Sequence, residues 1–186
     1  MERRTVIGRV LSLSDLTVDV LAQILQDDKH KQYHRAIAIA IANETRSTWT
    51  AKGTYLSSST TSDLVVPEEI QCAKAGIYSA RQVGYIPIIG ISGVLTFSLD
   101  DGNILALMFS VPFNYIFHDN WWNAKVYNDK SIKANKALFD ELYAETMRPI
   151  KGQDEWDEKG IGEGYTARGY MTSSARTPFL IYIKKL

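Results

Sequence analysis

RAIAIAIAN, residues 35–43, decides the kind of fold. Ile37, Ile39 and Ile41 alternate with alanines, a spacing of two. Successive side chains of a strand point to opposite faces, so this strand has a bulky face and a thin one. Further strand-like runs are TWTAKGTYL (48–56), GVLTFSL (93–99), NILALMFSV (103–111), NAKVYN (123–128) and PFLIYIKK (178–185). Asp100-Asp101-Gly102-Asn103, between two of these, is a hairpin-turn signal. Many short strands separated by turn residues predict a mainly β fold, an antiparallel sandwich or barrel. No internal repeat, low-complexity tract or long linker divides the chain.

Its 186 residues suit one domain with a sizeable core, and 45% hydrophobic content is not that of a disordered chain. Lys plus Arg and Asp plus Glu both number 21, and the resulting net charge of zero argues against a nucleic-acid partner. Cys72 is the single cysteine, so no internal disulfide and no paired-cysteine zinc site can form. His30 and His34 are the nearest approach to a metal motif and read as solvated; neither metal nor cofactor is expected. No nucleophile elbow, phosphate loop or metalloprotease motif is present, so an enzyme is not expected. No stretch reaches the ~18 uninterrupted apolar residues of a membrane span. The N-terminus does not read as a signal peptide, and a secreted chain without its leader is consistent with it.

Two stretches break the β pattern. SIKANKALFDELYAET (131–146) holds helix formers, with Ile132, Phe139, Leu142 and Tyr143 on one side. The other runs from about Arg3 to Gln26. At ~100° per residue, Thr5, Gly8, Ser12, Asp15, Asp19, Gln23 and Gln26 fall on one narrow stripe. The rest of the wheel is mostly apolar, far wider than the ~100° arc a helix needs to dock on a sheet. As one helix it would span about 36 Å, against a bilayer hydrocarbon core of about 30 Å. A wide apolar arc suits lipid, and a thin polar stripe suits a water-filled lumen. Docking on the sandwich is the simpler reading, and the two agree if the helix docks first and leaves later.

Residues 114–123, NYIFHDNWWN, mix large aromatics with polar turn formers and read as an aromatic loop. Trp122 is expected mostly in the core and Trp121 mostly out of it.

Several strings resemble the actinoporins, the pore-forming cytolysins of sea anemones. They are TWTAKGTYL with SSSTTSDLVVP (57–67), DDGNILALMFSVP (100–112), FSVPFNYIFHDNWWN (109–123), FDELY (139–143) and RGYMTSS (168–174). They occur in the family's order across roughly residues 12–185. The resemblance implies one domain over 1–186: an N-terminal pore-forming segment at 1–28, then a β-sandwich at 35–186 flanked by two helices. It implies a secreted monomer that binds a lipid head group, forms homo-oligomers on the target membrane and inserts its N-terminal helix. By motif position, a choline head group (sphingomyelin or another choline lipid) would meet Ser58, Ser110, Pro112, His118, Trp121, Phe139 and Tyr143. Tyr115, Phe117 and Trp121 would touch the membrane. Ser12, Asp15, Asp19, Gln23 and Gln26 would line the pore, with Asp15 and Asp19 giving acidic rings that favour cations.

The chain also departs from the family pattern. His118 and Phe139 stand at tyrosine positions, Phe117 at a tryptophan position, Ala144 where a further tyrosine is common, and Ser57 at a common arginine position. Lys151-Gly152-Gln153 replaces an Arg-Gly-Asp triplet. Arg3, Arg4 and Arg9 add charge suited to anionic lipid. A non-lytic lectin-like or lipid-binding sandwich is the competing reading, because aromatic loops also stack on sugars. The wide apolar arc at the N-terminus argues against it.

Overall fold

The computed structural model describes residues 9–27 and 32–186. Its elements are, in order, β1 (Arg9–Ser12), a 3-10 turn (Leu13–Asp15), α1 (Val18–Gln26), β2 (Ala36–Asn43), β3 (Trp49–Leu56), β4 (Thr60–Leu64), β5 (Glu69–Ile70), β6 (Lys74–Gln82), β7 (Ile91–Ser98), β8 (Ile104–Val111), β9 (Trp121–Tyr127), α2 (Lys136–Tyr143), a second 3-10 turn (Glu145–Met147), β10 (Ile150–Lys151), β11 (Glu155–Gly162), β12 (Tyr165–Met171) and β13 (Arg176–Lys185). They form a β-sandwich with one helix on each outer face. One sheet has the order β1-β6-β2-β13-β12-β11, with β4 also on β6; the other has the order β10-β9-β8-β7-β3-β5. Among the described ladders one pair, β13 with β2, is parallel, with Phe179 beside Ile39. Nearly the whole chain separates those two strands, and a parallel pair needs a long connection.

The two faces of β2 are used as its spelling predicts. Ile37, Ile39 and Ile41 enter the core between the sheets with Phe97, Phe109, Trp122 and Phe179. Ala36, Ala38, Ala40 and Ala42 face outward, and α1 sits on them through Leu21 and Leu25, with Leu16 just before the helix. Trp122 packs against Phe179, with ring centroids 5.4 Å apart. It lies on Gly169 of the RGYMTSS string, where a Cβ would fall 2.6 Å from its ring, so any larger residue would push the indole out.

The N-terminal segment differs from the single helix expected over Arg3–Gln26. Arg9–Ser12 pairs antiparallel with Lys74–Ile77 on the edge of β6, which satisfies backbone groups that a helix would satisfy internally. The Thr17 side chain accepts from the Val20 N–H and starts α1 there. Arg176 donates to the Leu25 carbonyl near the helix end, where a cation complements the dipole. Ser12 therefore lies on a strand, and Asp15 in a 3-10 turn, rather than on one helical stripe. Asp15, Asp19, Gln23 and Gln26 are all exposed. Thr5, Gly8, Arg3, Arg4 and His30 lie outside the described residues.

The second helix is shorter than the 131–146 stretch. It starts at Lys136 because Asn135 caps it, accepting from the Leu138 N–H at 2.9 Å. Leu138 and Leu142 bury against Val94, Ala106 and Met108 of the second sheet.

The Asp100–Asn103 hairpin forms between β7 and β8. Its Asp101 carboxylate accepts from Tyr165 Oη at 2.6 Å and Lys185 Nζ at 2.9 Å. Burial alone would raise its pKa, but these bonds and the Asn103 N–H outweigh it and lower it to about 2. A pKa depressed in the folded state means stability that is full above the unfolded value and lost as pH falls through the folded one. Asp101→Asn should therefore be less stable than the parent at pH 6. The gap should close between about pH 4 and about pH 2 in denaturant titrations; a pH-independent gap would contradict this role.

Candidate functional site

The outer face of the second sheet gathers most of the residues that the sequence singles out. Ser92, Ser110 and Trp121 are cross-strand neighbours on β7, β8 and β9, so their side chains share a face. That face points away from the core, because the adjacent Phe109 and Trp122 point into it. Tyr55 pairs with Val94, two residues along β7, and so faces the same way. α2 lies on this face and adds an aromatic row. Phe139 and Tyr143 stack with centroids 5.5 Å apart and planes 15° from parallel, and Tyr55 meets Phe139 at 6.4 Å. Ser58 is exposed in the turn after β3, which is tied to β7 by the Ser57 N–H donating to Ser92 O at 3.0 Å.

Trp121 is half-buried and Trp122 fully buried, both on β9 rather than on a loop. Pairing with β8 and β10 takes their backbone into the sheet. The loop itself is 112–120, and it is turned outward. Ile116 is 84% and Phe117 78% exposed, while Phe113, Tyr115 and His118 are also exposed. Water penalises such surface, and contiguous apolar patches on soluble proteins mark contact sites.

Long-range polar contacts hold this loop. Arg35 Nε donates to Pro112 O at 2.7 Å and its Nη2 to Phe113 O at 2.6 Å. The same guanidinium lies over the Tyr115 ring at 5.2 Å. Tyr115 Oη donates to Asn120 Oδ1 at 2.8 Å, and burial pushes its pKa up to about 12. Buried Asn120 donates in turn to Thr172 O, Ser174 O and Thr177 Oγ1 at 2.8 to 2.9 Å. Arg35 and Asn120 escape sequence reading because the carbonyls of Pro112 and Phe113 for the one, and of Thr172 and Ser174 for the other, lie more than fifty residues away.

An ion pair borders the site. Asp119 pairs with Lys151 at 3.2 Å, and its charge helps to raise the Tyr143 pKa after burial, the larger cause. Lys151 opens the Lys-Gly-Gln triplet and sits opposite Trp121 in the β9–β10 ladder. The triplet thus belongs to the edge of this site. Two concavities lie elsewhere. One of about 690 Å³ is walled by Lys125, Met147, Arg148 and Lys159, and one of about 600 Å³ by Asp101, Lys184 and Lys185. Neither is lined by Trp121, Phe139 or Tyr143. In the first, Lys159 donates to Asn123 Oδ1 and to the Met147 and Arg148 carbonyls, so its ammonium is structural and would repel a cation.

Among the described residues no cluster of three or more His, Cys, Asp or Glu could hold a metal, and no helix is long and apolar enough to cross a membrane.

Fold and surface together define a β-sandwich with a helix on each outer face and an exposed apolar loop beside the second sheet. Residues 5–185 match the family described as sea anemone cytotoxic protein. DELTA-actitoxin-Afr1c of Actinia fragacea is 37% identical over 181 residues, which are 97% of this chain and 98% of that one. Cytolysin tenebrosin-B of Actinia tenebrosa is 38% identical over 186 residues, 99% of this chain and 85% of that one. Deep sea actinoporin Cjtox II of Cribrinopsis japonica is 40% identical over 180 residues, 97% of this chain and 79% of that one. The solved lipid binding protein Nakanori superposes with a TM-score of 0.66 over 91% of this chain and 81% of its own, at 11% identity, a likeness of fold alone. The chain belongs to this sea anemone family, the actinoporins. The family is one of pore-forming cytolysins, secreted toxins that act on target membranes, and not of enzymes.

If Arg35 clamps the aromatic loop, Arg35→Gln should speed amide hydrogen exchange across 112–120 at least several-fold and leave α2 unchanged. Unaltered exchange in the loop would show that Arg35 is not the clamp.

Proposed function

We propose that the chain is a pore-forming cytolysin that binds choline lipids through the α2 face and the 112–120 loop. The observation that carries this reading is the exposure of Ile116 and Phe117 beside the stacked Phe139–Tyr143 pair. Tryptophan and tyrosine suit a bilayer interface, and quaternary ammonium groups bind over aromatic faces. Ser58, Ser110, Pro112, His118 and Trp121 border that face as the head-group site, while Tyr115, Phe117 and Trp121 meet lipid. With phenols absent at 118, 139 and 144, the ring faces of Trp121, Phe139 and Tyr143 are the groups left to hold the choline cation.

After binding, the N-terminal segment leaves the sandwich, and several copies assemble around a lumen. There the strand and turn before α1 become helical, because inside lipid a backbone must satisfy its own hydrogen bonds. That change places Ser12, Asp15, Asp19, Gln23 and Gln26 on one stripe, facing water. Asp15 and Asp19 then form acidic rings, and the pore prefers cations.

Dye release from sphingomyelin-containing vesicles tests the insertion. The chain lacking residues 1–28 should bind vesicles without releasing dye, and release at the parent's concentration would exclude this segment as the pore. In bilayer recordings under a salt gradient, Asp15→Asn with Asp19→Asn should move the reversal potential toward zero. Trp121→Ala should cost about 1–2 kcal/mol per choline site, roughly tenfold in vesicle affinity. Equal sedimentation of variant and parent with every choline lipid would sink the pocket assignment.

A further inference from the structure

Beside the aromatic loop lies a second apolar loop that no motif announces. Residues 83–90 read VGYIPIIG and carry no charged side chain. Val83, Tyr85, Ile86 and Ile88 are large and solvent-exposed, with Ile88 at 69% and Tyr85 at 60%. An unheld loop of this composition would fold its isoleucines onto the protein. This one is pinned through its backbone instead. Val83 N–H donates to Ser59 O at 2.8 Å, Gln82 Nε2 donates to Ile86 O at 2.7 Å, and Ser59 Oγ donates to Gly90 O at 2.8 Å. Tyr85 stacks on buried Tyr33 with centroids 5.3 Å apart and planes within 4°, and Arg81 covers the Tyr33 ring at 4.0 Å. Pro87 removes one backbone donor that lipid could not satisfy.

The two loops are one surface. Ile91 pairs with Val111, so the chain enters β7 where the other loop leaves β8. Gly90 is pressed against that departure: a Cβ there would fall 2.9 Å from Val111 O and 3.1 Å from Phe113 N. Arg35 joins them, since its N–H donates to Gln82 Oε1 at 2.8 Å while its guanidinium holds Pro112 and Phe113. Arg35 and Gln82 thus link the two loops through one hydrogen-bond network.

We propose that the 83–90 loop is a second membrane anchor, entering the acyl region of a phospholipid bilayer through Ile86 and Ile88 alongside Ile116 and Phe117. The inference rests on the reading of the 112–120 loop as lipid-facing. An uncharged, apolar, backbone-satisfied loop continuous with that surface fits hydrocarbon and offers nothing to recognise a particular head group. Membrane affinity therefore has a part that does not depend on head-group chemistry. This makes the chain less selective between sphingomyelin and phosphatidylcholine than the head-group face alone would.

The test uses full-length protein with Cys72→Ser, which removes the exposed native thiol. Ile88→Cys and Ile116→Cys are each labelled with a polarity-sensitive fluorophore. Each is mixed with phosphatidylcholine vesicles with or without sphingomyelin, some carrying an acyl-chain nitroxide quencher. Both labels should shift to the blue and be quenched in both compositions. Quenching at 116 with an aqueous, unquenched label at 88 overturns this inference and leaves the aromatic-loop reading standing. Quenching at 88 alone overturns the aromatic-loop reading and, with it, the joint insertion proposed here; quenching at neither also overturns both. As a second measurement, Ile86→Ser with Ile88→Ser, shown folded by circular dichroism, should lose roughly tenfold or more in affinity by the same factor for both compositions. Undiminished affinity would contradict the proposal.

Discussion

The alternation of alanine and isoleucine in β2 is the constraint on which the rest of the molecule depends. Every residue of that strand is buried, because each face has a different neighbour. The isoleucines fill the space between the sheets, and the alanines leave a shallow outer surface on which a helix can lie close. That surface interdigitates little, so the docking of α1 and the turn before it rests on Leu16, Leu21 and Leu25, each worth about 1.5–3 kcal/mol on burial. The N-terminal segment also leaves Val10 exposed, and Leu11, Leu13, Val18, Val20 and Ile24 only partly covered. A bilayer can cover more of this apolar surface than the sandwich does. If the segment is released as proposed, this difference in cover gives the release a direction.

The loop end shows the same economy from the other side. Large apolar side chains face water at 83–90 and 112–120, a cost that folding alone does not explain. Their backbones are held by Arg35 from a distant part of the chain, by Ser59 and Gln82 beside the 83–90 loop, and by Asn120, which ties the aromatic loop to Thr172, Ser174 and Thr177. Pinning the backbone keeps the exposed side chains from collapsing onto the core. It also presents them in one geometry beside the Phe139–Tyr143 stack, so little ordering entropy is lost when a surface is met.

Much of this was legible in the residues. Alternation gave β2, and β-branched and aromatic runs gave β3, β7, β8, β9 and β13. β6 was missed because KAGIYSARQ is small-residue rich and buried on both faces, which erases the period-two signal. The β11–β12 hairpin was missed because its strands carry charged residues and glycines, as outer strands do. The wheel over Arg3–Gln26 assumed one helix. Local composition permits a helix at Arg9–Ser12, but the open edge of β6 captures it as a strand. At the site, Ser110 and Trp121 share the outer face of the second sheet, on which α2 carries Phe139 and Tyr143. The 83–90 loop went unread because it is aliphatic rather than aromatic. The Asp119–Lys151 pair and the Arg35 clamp went unread because they are tertiary contacts with no local trace.

The central claim is that α1 is held on the alanine face of β2 in water and gives it up on a membrane. The most direct measurement places spin labels on Gln23 of α1 and Lys184 of β13, in a Cys72→Ser background, and reads their separation by pulsed dipolar spectroscopy. One narrow distance distribution is expected in solution, and a longer one on vesicles under conditions where dye escapes. An unchanged distance on leaking vesicles would contradict the account.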